Sequence, residues 1–536
     1  MSAPAIQQLY QTLCNLIEII RQHGAFNVVL SPGSRSAPLA LSFIRNGKFD
    51  VYHVVDERSA AYFALGLAKA SKRPSVLVCT SGTAALNYAP AVAEAYFQQI
   101  PLLVLTSDRP PEWIGQNDNQ AIYQKDLYGK HVKSFTQMPV SFVEESNRAF
   151  AIHKINEACV QLSSRKAGPV HVNFPFREPF YNTEPSPVEI NDEFRLVTTE
   201  EPALAINPVL LTDFASEIVK SKNIWLLVGT CNDVPEEQAL NDFIRFSGAS
   251  VFIDPLCNLH LHNQLYRYDN WLDDAIAPPD LVLSFGNHFL SKKLKLFLRK
   301  HKPKHHIHIQ PYAGLADPFN SITFLLKAKP GNAIQNLNEL LRQNPDAVVD
   351  QEHQAHDEAA RADEEADMEL RAAMSLFKAI PDGSVIHFGN STPVRYLLRW
   401  SHLLREKDIT VYANRGTSGI DGSVSTAVGM AQNGDRPHFL IIGDLSMYYD
   451  RNGLWNQYVP DNFRIIVMNN GGGGIFKRIE GPLRQAELEE YFVNEQHCDF
   501  EALAKAHRFG YETLSLDSAD EWQLTGGGKV LYEVKL

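Results

Sequence analysis

The chain has 536 residues and a formal net charge of −12, enough length for roughly two to four domains with ample core. Its acidic balance argues against a nucleic-acid binder, which needs a basic footprint. No apolar run reaches about eighteen residues, so no membrane span is expected. The N-terminus lacks the basic, apolar, small-residue order of a secretory leader. The cysteines Cys14, Cys79, Cys159, Cys231, Cys257 and Cys498 form no CxxC pair and read as buried or idle thiols in a reducing compartment. A cytoplasmic enzyme is the expectation.

In chain order, Leu9 to Gln22 has helical apolar spacing and Gly24 ends it. Strands are predicted at Asn27 to Leu30, Val51 to Val55, Ser75 to Cys79, Pro101 to Thr106 and Pro169 to Asn173. Between them lie the polar loop SPGSRSAP from Ser31, a small-residue helix over Ser59 to Ala70, the turn TSGT from Thr80, and a helix through Tyr96. This alternation predicts a parallel sheet covered on both faces. Asn182 to Pro187 reads as the start of a linker. A second series follows with strands at Ile224 to Gly229, Ser250 to Ile253, Leu281 to Phe285 and His306 to Gln310. Its first strand runs into GTCND and carries no GxGxxG fingerprint, so no dinucleotide site is expected. His306 and His308 share a strand face, expected to be solvated. Gln351 to Arg371 is acidic and helical, a solvated bridge into a third series, with strands at Val385 to Phe388 and Thr410 to Ala413. The first and third series share a strand, glycine turn and helix rhythm.

The third series contains the stretch that organises the chain, Ile441 to Phe476. One apolar strand ends at Gly443 with Asp444 just beyond it. A second, Arg464 to Met468, ends in Asn469, Asn470 and four glycines. Open α/β sheets bind ligands at such strand ends. A carboxylate, an amide oxygen and a glycine-rich backbone make a hard oxygen set suited to Mg²⁺, which completes its octahedron with phosphate and water, and glycine lets backbone approach a diphosphate closely. Taken singly, an Asp after a strand or the triplet Asp56-Glu57-Arg58 is an ordinary surface turn; at Asp444 the strand–helix–strand setting and the glycine run give it weight. Arg35, Arg109, Arg395 and Arg415 all fall in loops at predicted strand ends. Arginine matches a carboxylate with a fork of donors, so anionic substrates are favoured.

The order of Asp444 and Asn470 resembles the diphosphate–metal motif of thiamine diphosphate enzymes. SPGSRSAP, VDERSAAYFALGLAKAS, TSGTAALN, TSDRPPE, NQAIYQ, FGNSTPVR, YANRGTSGIDG, GDLSMYYD and NNGGGGIF together resemble the 2-succinyl-5-enolpyruvyl-6-hydroxy-3-cyclohexene-1-carboxylate synthases of menaquinone biosynthesis. The motifs run from Ser31 to Phe476 and the general likeness covers nearly the whole chain. The resemblance implies three doubly wound α/β parallel-sheet domains: pyrimidine-binding at 1–182, a middle Rossmann-like domain at 183–350 and diphosphate-binding at 351–536. It implies thiamine diphosphate and Mg²⁺, for which Mn²⁺ can substitute, with the metal on Asp444, Asn470 and the Gly472 carbonyl. The cofactor would be bound by Glu57, Thr80, Ser81, Gly82, Ser418, Ile420, Gly443, Asp444, Leu445, Ser446, Asn470, Gly472, Gly474 and Ile475. Glu57 would be the catalytic acid on the aminopyrimidine, while the cofactor supplies the carbanion chemistry. Ser34, Arg35, Arg109, Gln120 and Lys292 would line the acceptor side, Ser391, Arg395 and Arg415 would hold the succinyl carboxylate, and Ile475 and Phe476 would shape the pocket.

The implied reaction decarboxylates 2-oxoglutarate and adds the succinyl carbanion equivalent to isochorismate. It is a transferase reaction, in a homodimer or homotetramer whose sites are shared between subunits, with no nucleic-acid or membrane partner. Lys293 stands where the family often has Arg, replacing a forked donor with a point charge. Two rivals exist. An acetolactate-type carboligase needs only small acceptors, which the arginine set does not suit. A non-catalytic diphosphate-binding paralogue is expected to lose its activating carboxylate, and Glu57 is present.

Overall fold

The computed structural model describes all residues except 1–2, 182–188, 232, 343–350, 361–367, 406 and 525–526. The expected domain boundary at 182/183, the residues leading up to the one at 350/351, and all of the expected linker from Asn182 to Pro187 lie outside the described residues.

Three parallel six-stranded sheets form the framework. The first uses β1 (Asn27–Leu30), β2 (Asp50–His53), β3 (Ser75–Cys79), β4 (Leu102–Asp108), β5 (Phe135–Gln137) and β6 (Val170–Pro175), in the order β2-β1-β3-β4-β6-β5. The second uses β7 (Ile224–Val228), β8 (Ser250–Ile253), β9 (Gln264–Leu265), β10 (Leu281–Phe285), β11 (His305–Gln310) and β12 (Phe324–Lys327), in the order β12-β11-β10-β7-β8-β9. Counted from its own first strand, this is the 3-2-1-4-5-6 order of doubly wound nucleotide-binding sheets. The third uses β13 (Val385–Phe388), β14 (Thr410–Ala413), β15 (His438–Gly443), β16 (Phe463–Asn469), β17 (Gly510–Leu514) and β18 (Val530–Lys535), in the order β14-β13-β15-β16-β18-β17. First and third sheets therefore have one topology, the likeness their shared rhythm implies.

Central strands match the sequence expectation because they are apolar runs buried on both faces: β3, β7 and β10 are buried at every residue. The strands absent from the sequence reading, β5, β9, β12 and β17, are edges. They are short or largely exposed, so no apolar run announces them. The helix expected from the TSGT turn through Tyr96 is broken into Thr83–Asn87 and Ala89–Gln98, where Pro90 begins a new first turn. His306 and His308 do not face solvent: both are buried and both hydrogen-bond Ser284 Oγ, at 2.8 and 2.9 Å. Burial lowers their pKa to about 3 and about 4, so they pack as neutral rings. The acidic bridge is not wholly solvated either. Helix Gln351–Ala359 docks on the second sheet through His353, bonded to Ser250, and Asp357, which accepts from Tyr266 N, Arg267 N and Trp271 Nε1.

The first and third domains meet through two helices, α1 (Glu57–Ser71) and α4 (Ser423–Met430). Their crossing is glycine-dependent. A Cβ on Gly66 would lie 2.2 Å from Thr426 O, and one on Gly429 would lie 2.2 Å from Phe63 O. Backbones that close leave no room for any side chain.

Candidate active site

The third sheet builds the anion- and metal-like half. Asp444 follows β15 as the first residue of α5 (Asp444–Tyr449). It is 2 % exposed, and Oδ1 accepts from Leu445 N at 2.8 Å. Oδ2 is buried without a hydrogen-bond partner, and so is Oδ1 of Asn470, just past β16. Burial raises the Asp444 pKa, while the nearby amides of Leu445, Gly472 and Gly471 pull it down. Gly474 is required for this arrangement, since a Cβ there would meet Asn470 Nδ2 at 2.3 Å. Buried oxygens are normally paired, and two unpaired ones on adjacent strand ends fit a divalent cation shared with a diphosphate. The glycines beside them let the backbone of 492 and 493 approach closely: a Cβ on Gly472 would lie 2.6 Å from Val493 O and one on Gly473 2.6 Å from Phe492 O.

Above this edge runs the loop 414–421 between β14 and α4. Asn390 Nδ2 donates to Asn414 O and Gly419 O, and Arg415 Nη1 donates to Asn390 Oδ1 at 2.7 Å. Ser418 adopts a positive φ of 62°. Ile420 is 39 % exposed, so it is not a core residue. Arg395 donates to Ser391 O one turn back. Burial lowers the pKa of both Arg395 and Arg415, and the Arg395 charge lowers that of Arg415 further, so two guanidinium groups share one partly dry region. Lys295, on α3 (Lys292–Lys300) of the middle domain, joins them. Its pKa is lowered by burial and by the charges of Arg415, Arg299 and Arg395. Sequence reading passed over Lys295 because it sits inside KKLKLF, where basic and apolar residues alternate as on any amphipathic helix. Lys292 is exposed in the first turn of that helix, and Lys293 donates to Asn270 O. Ile475 and Phe476 follow the glycines, with Phe476 set edge-on to Phe492.

The first sheet builds the other half. Glu57 opens α1, whose N-cap Asp56 accepts from Ser59 N at 3.0 Å. The half-buried Glu57 carboxyl has a raised pKa, chiefly from burial and also from Asp56, which favours the protonated form an acid needs. Its charge in turn raises the pKa of Cys79 and Tyr88, which places it over the end of β3, beside the buried Thr80 and Ser81. Arg35 is 4 % exposed and donates to Phe176 O at 2.9 Å and Glu178 Oε1 at 2.6 Å. Arg109 lies 3.4 Å from Asp118 and 3.6 Å from the same Glu178 oxygen. Ser34 Oγ bonds Tyr181 OH, and Gln120 packs over Gly82. Ser34, Arg35, Arg109 and Gln120 thus gather at one sheet edge.

Among the described residues no hydrogen bond or ion pair joins Glu57 to Asp444 or Asn470. Within one chain its neighbours Asp56 and Arg58 instead reach Asn452, beyond the far end of α5, and Tyr449, the last residue of α5. A cavity of about 570 Å³ lined by His53, Trp455, His507 and Lys529 opens at the opposite edge, near the starts of β17 and β18, so a hollow alone does not mark the chemistry. Among the described residues no helix is long and apolar enough to cross a membrane.

Residues 14–127 match the family described as "Thiamine pyrophosphate enzyme, N-terminal TPP binding domain". With the three-sheet architecture and the paired oxygens at the third sheet edge, this defines the chain as a thiamine diphosphate-dependent enzyme. Proteins named 2-succinyl-5-enolpyruvyl-6-hydroxy-3-cyclohexene-1-carboxylate synthase from Cytophaga hutchinsonii, Christiangramia forsetii and Porphyromonas gingivalis are 37, 35 and 34 % identical to it. The matches cover 94, 91 and 97 % of this chain and 90, 88 and 93 % of theirs. The chain belongs to the 2-succinyl-5-enolpyruvyl-6-hydroxy-3-cyclohexene-1-carboxylate synthase family.

Proposed function

We propose that this enzyme decarboxylates 2-oxoglutarate and adds the succinyl unit to isochorismate, a step of menaquinone biosynthesis in the cytoplasm, with Mg²⁺ or Mn²⁺ as the metal. The cofactor, when bound, supplies the carbanion chemistry at its thiazolium carbon. Asp444 and Asn470 offer two side-chain oxygens and Gly472 a carbonyl, leaving phosphate and water to complete the coordination. Glu57 holds a proton at the aminopyrimidine nitrogen. Thr80, Ser81 and Gly82, with Ser418, Ile420, Gly443, Leu445, Ser446, Gly474 and Ile475, line the cofactor's path.

The observation that carries the donor assignment is the repulsion between Arg395 and Arg415: the Arg395 charge, together with burial, lowers the pKa of the partly buried Arg415, and the Arg395 side chain is exposed. A second carboxylate on the donor relieves that repulsion with forked hydrogen bonds. Ser391 sits beside them, and Ser34, Arg35, Arg109, Gln120 and Lys292 serve the acceptor, with Phe476 closing the pocket. Because Glu57 and Asp444 are not joined within one chain, the active unit in this reading is a homodimer, or a homotetramer made from it, in which Glu57 of one subunit serves the metal site of another. The decisive assay follows 2-oxoglutarate consumption with and without isochorismate. Isochorismate-dependent turnover is expected, and equal use of pyruvate would overturn the assignment.

A further inference from the structure

The loop 414–421 that carries Arg415, Ser418 and Ile420 belongs to the third domain, yet its base is held by the first. Glu94, on α2 (Ala89–Gln98), is 1 % exposed. Its Oε1 accepts from Gly416 N at 2.7 Å, and its Oε2 accepts from Thr417 N and Thr417 Oγ1, both at 2.6 Å. Gln98 Nε2 donates to the same Oε1, and Lys69 Nζ in turn donates to Gln98 Oε1 at 3.0 Å and Ala413 O at 3.2 Å. Contact extends to the backbone: a Cβ on Gly416 would lie 2.5 Å from Glu94 O. The far end of the loop is tied by Tyr62 OH, which donates to Asp421 Oδ2 at 2.7 Å.

Both oxygens of a carboxylate are acceptors, so Glu94 can receive two neighbouring main-chain N–H groups at once. An amide cannot, because its NH₂ would face one of them. Charge-assisted bonds of this kind are about twice as strong as neutral ones, and here they are partly buried, with the Glu94 side of each fully so, where an unmet N–H is costly. Gly416 and Thr417 directly follow Arg415, so whatever fixes them fixes the direction in which the Arg415 guanidinium leaves the loop. Asn390 then orients that guanidinium from the other side.

We propose that Glu94 is a positioning residue for the donor substrate, a buried carboxylate of the first domain that sets Arg415 of the third for the distal carboxylate of 2-oxoglutarate. The proposal rests on the donor reading given above. It assigns Glu94 no contact with substrate or cofactor.

The test compares Glu94→Gln, Thr417→Val and Arg415→Ala in the full-length enzyme. Glu94→Gln is expected to raise the KM for 2-oxoglutarate by roughly tenfold to a hundredfold, the range set by losing charged hydrogen bonds. The KM for isochorismate should stay within about twofold, because uniform binding to the acceptor is untouched. Thr417→Val removes one bond without altering Glu94 and should give a smaller rise of the same kind. It also keeps the proposal testable if Glu94→Gln does not fold. Amide exchange at Gly416 and Thr417 in the ligand-free protein should quicken in both variants. Unchanged exchange overturns the clamp. An equal rise in both KM values overturns the positioning role in favour of general destabilisation. Faster exchange together with a wild-type 2-oxoglutarate KM in Arg415→Ala overturns the donor assignment of Arg415, and the role given to Glu94 with it.

Discussion

The first and third sheets share one strand order, and each buries an aspartate at a strand's carboxyl end: Asp108 as the last residue of β4 and Asp444 just after β15. Both have raised pKa values because of burial. They differ in their partners. Asp108 accepts from Asn173 Nδ2 and Arg109 N, both at 2.7 Å, within a network that runs through Asn173 to Thr106 and Gln124. Asp444 keeps one oxygen without a partner, and so does Asn470 at the end of the adjacent strand. The same scaffold thus makes one edge whose aspartate is satisfied and one that leaves an aspartate oxygen and an asparagine oxygen unpaired. A buried polar group is costly unless satisfied, so an incomplete edge marks where something else must bind.

The largest expected effect breaks the comparison outright. Asp444→Ala should abolish metal-dependent retention of thiamine diphosphate, measured by calorimetry with and without Mg²⁺, while the apoprotein stays as stable as wild type or gains. Asp108→Ala should do the reverse, losing about 1–3 kcal/mol of stability as its donors lose their acceptor. Retained metal-dependent affinity in Asp444→Ala would refute the metal assignment.

Next comes Glu57→Gln, which keeps shape but cannot supply the acid proton. Hydrogen–deuterium exchange at the cofactor's C2 should slow by about 10²–10⁴-fold with binding retained. A wild-type rate in the folded variant would remove Glu57 from the chemistry.

Smaller again is donor choice. The partly buried Arg415, left without a carboxylate partner, is penalised whenever pyruvate binds, so wild type should favour 2-oxoglutarate by at least roughly a hundredfold in kcat/KM. Arg395→Ala should erode that ratio mainly by weakening the 2-oxoglutarate reaction, as parallel assays with both donors will show.

The smallest effect concerns pH. Burial moves the Asp108 pKa from 3.8 to about 6, so between these values the folded state binds a proton that the unfolded state has released. This group's contribution to stability is therefore greatest at low pH and falls as pH rises from about 4 to about 6, by about 2–3 kcal/mol in total. Thermal melts across that window should show Asp108→Asn lacking the slope. A parallel pH profile in wild type and variant would contradict it.

Much of this was legible in the chain itself. Asp444, Asn470 and the glycines after them stand where two apolar runs stop, and a run buried on both faces needs no tertiary information to be read as a central strand. The shared rhythm of the first and third series likewise anticipated their common topology. Four of the six edge strands were not legible, because β5, β12 and β17 leave residues partly or fully in solvent and β9 has two residues, so none has an apolar signature. The burial of His306 and His308 was hidden as well, since alternation places both rings on one face without saying whether that face is covered.

The sequence by itself determined the repeated α/β units and the strand-end residues, because backbone periodicity and glycine placement are local properties. Only the tertiary structure decided which of those residues meet. Lys295 reaches the Arg395–Arg415 pair from another domain, and Glu94 reaches Gly416 and Thr417 across 322 and 323 residues of chain. Such pairings depend on how α1 and α2 pack against the third domain, a close approach fixed by Gly66, Gly416 and Gly429. It also took the folded chain to show that Asp108 is satisfied and Asp444 is not, because a hydrogen-bond partner is a matter of distance and direction in space, and two aspartates after two apolar strands look the same on paper.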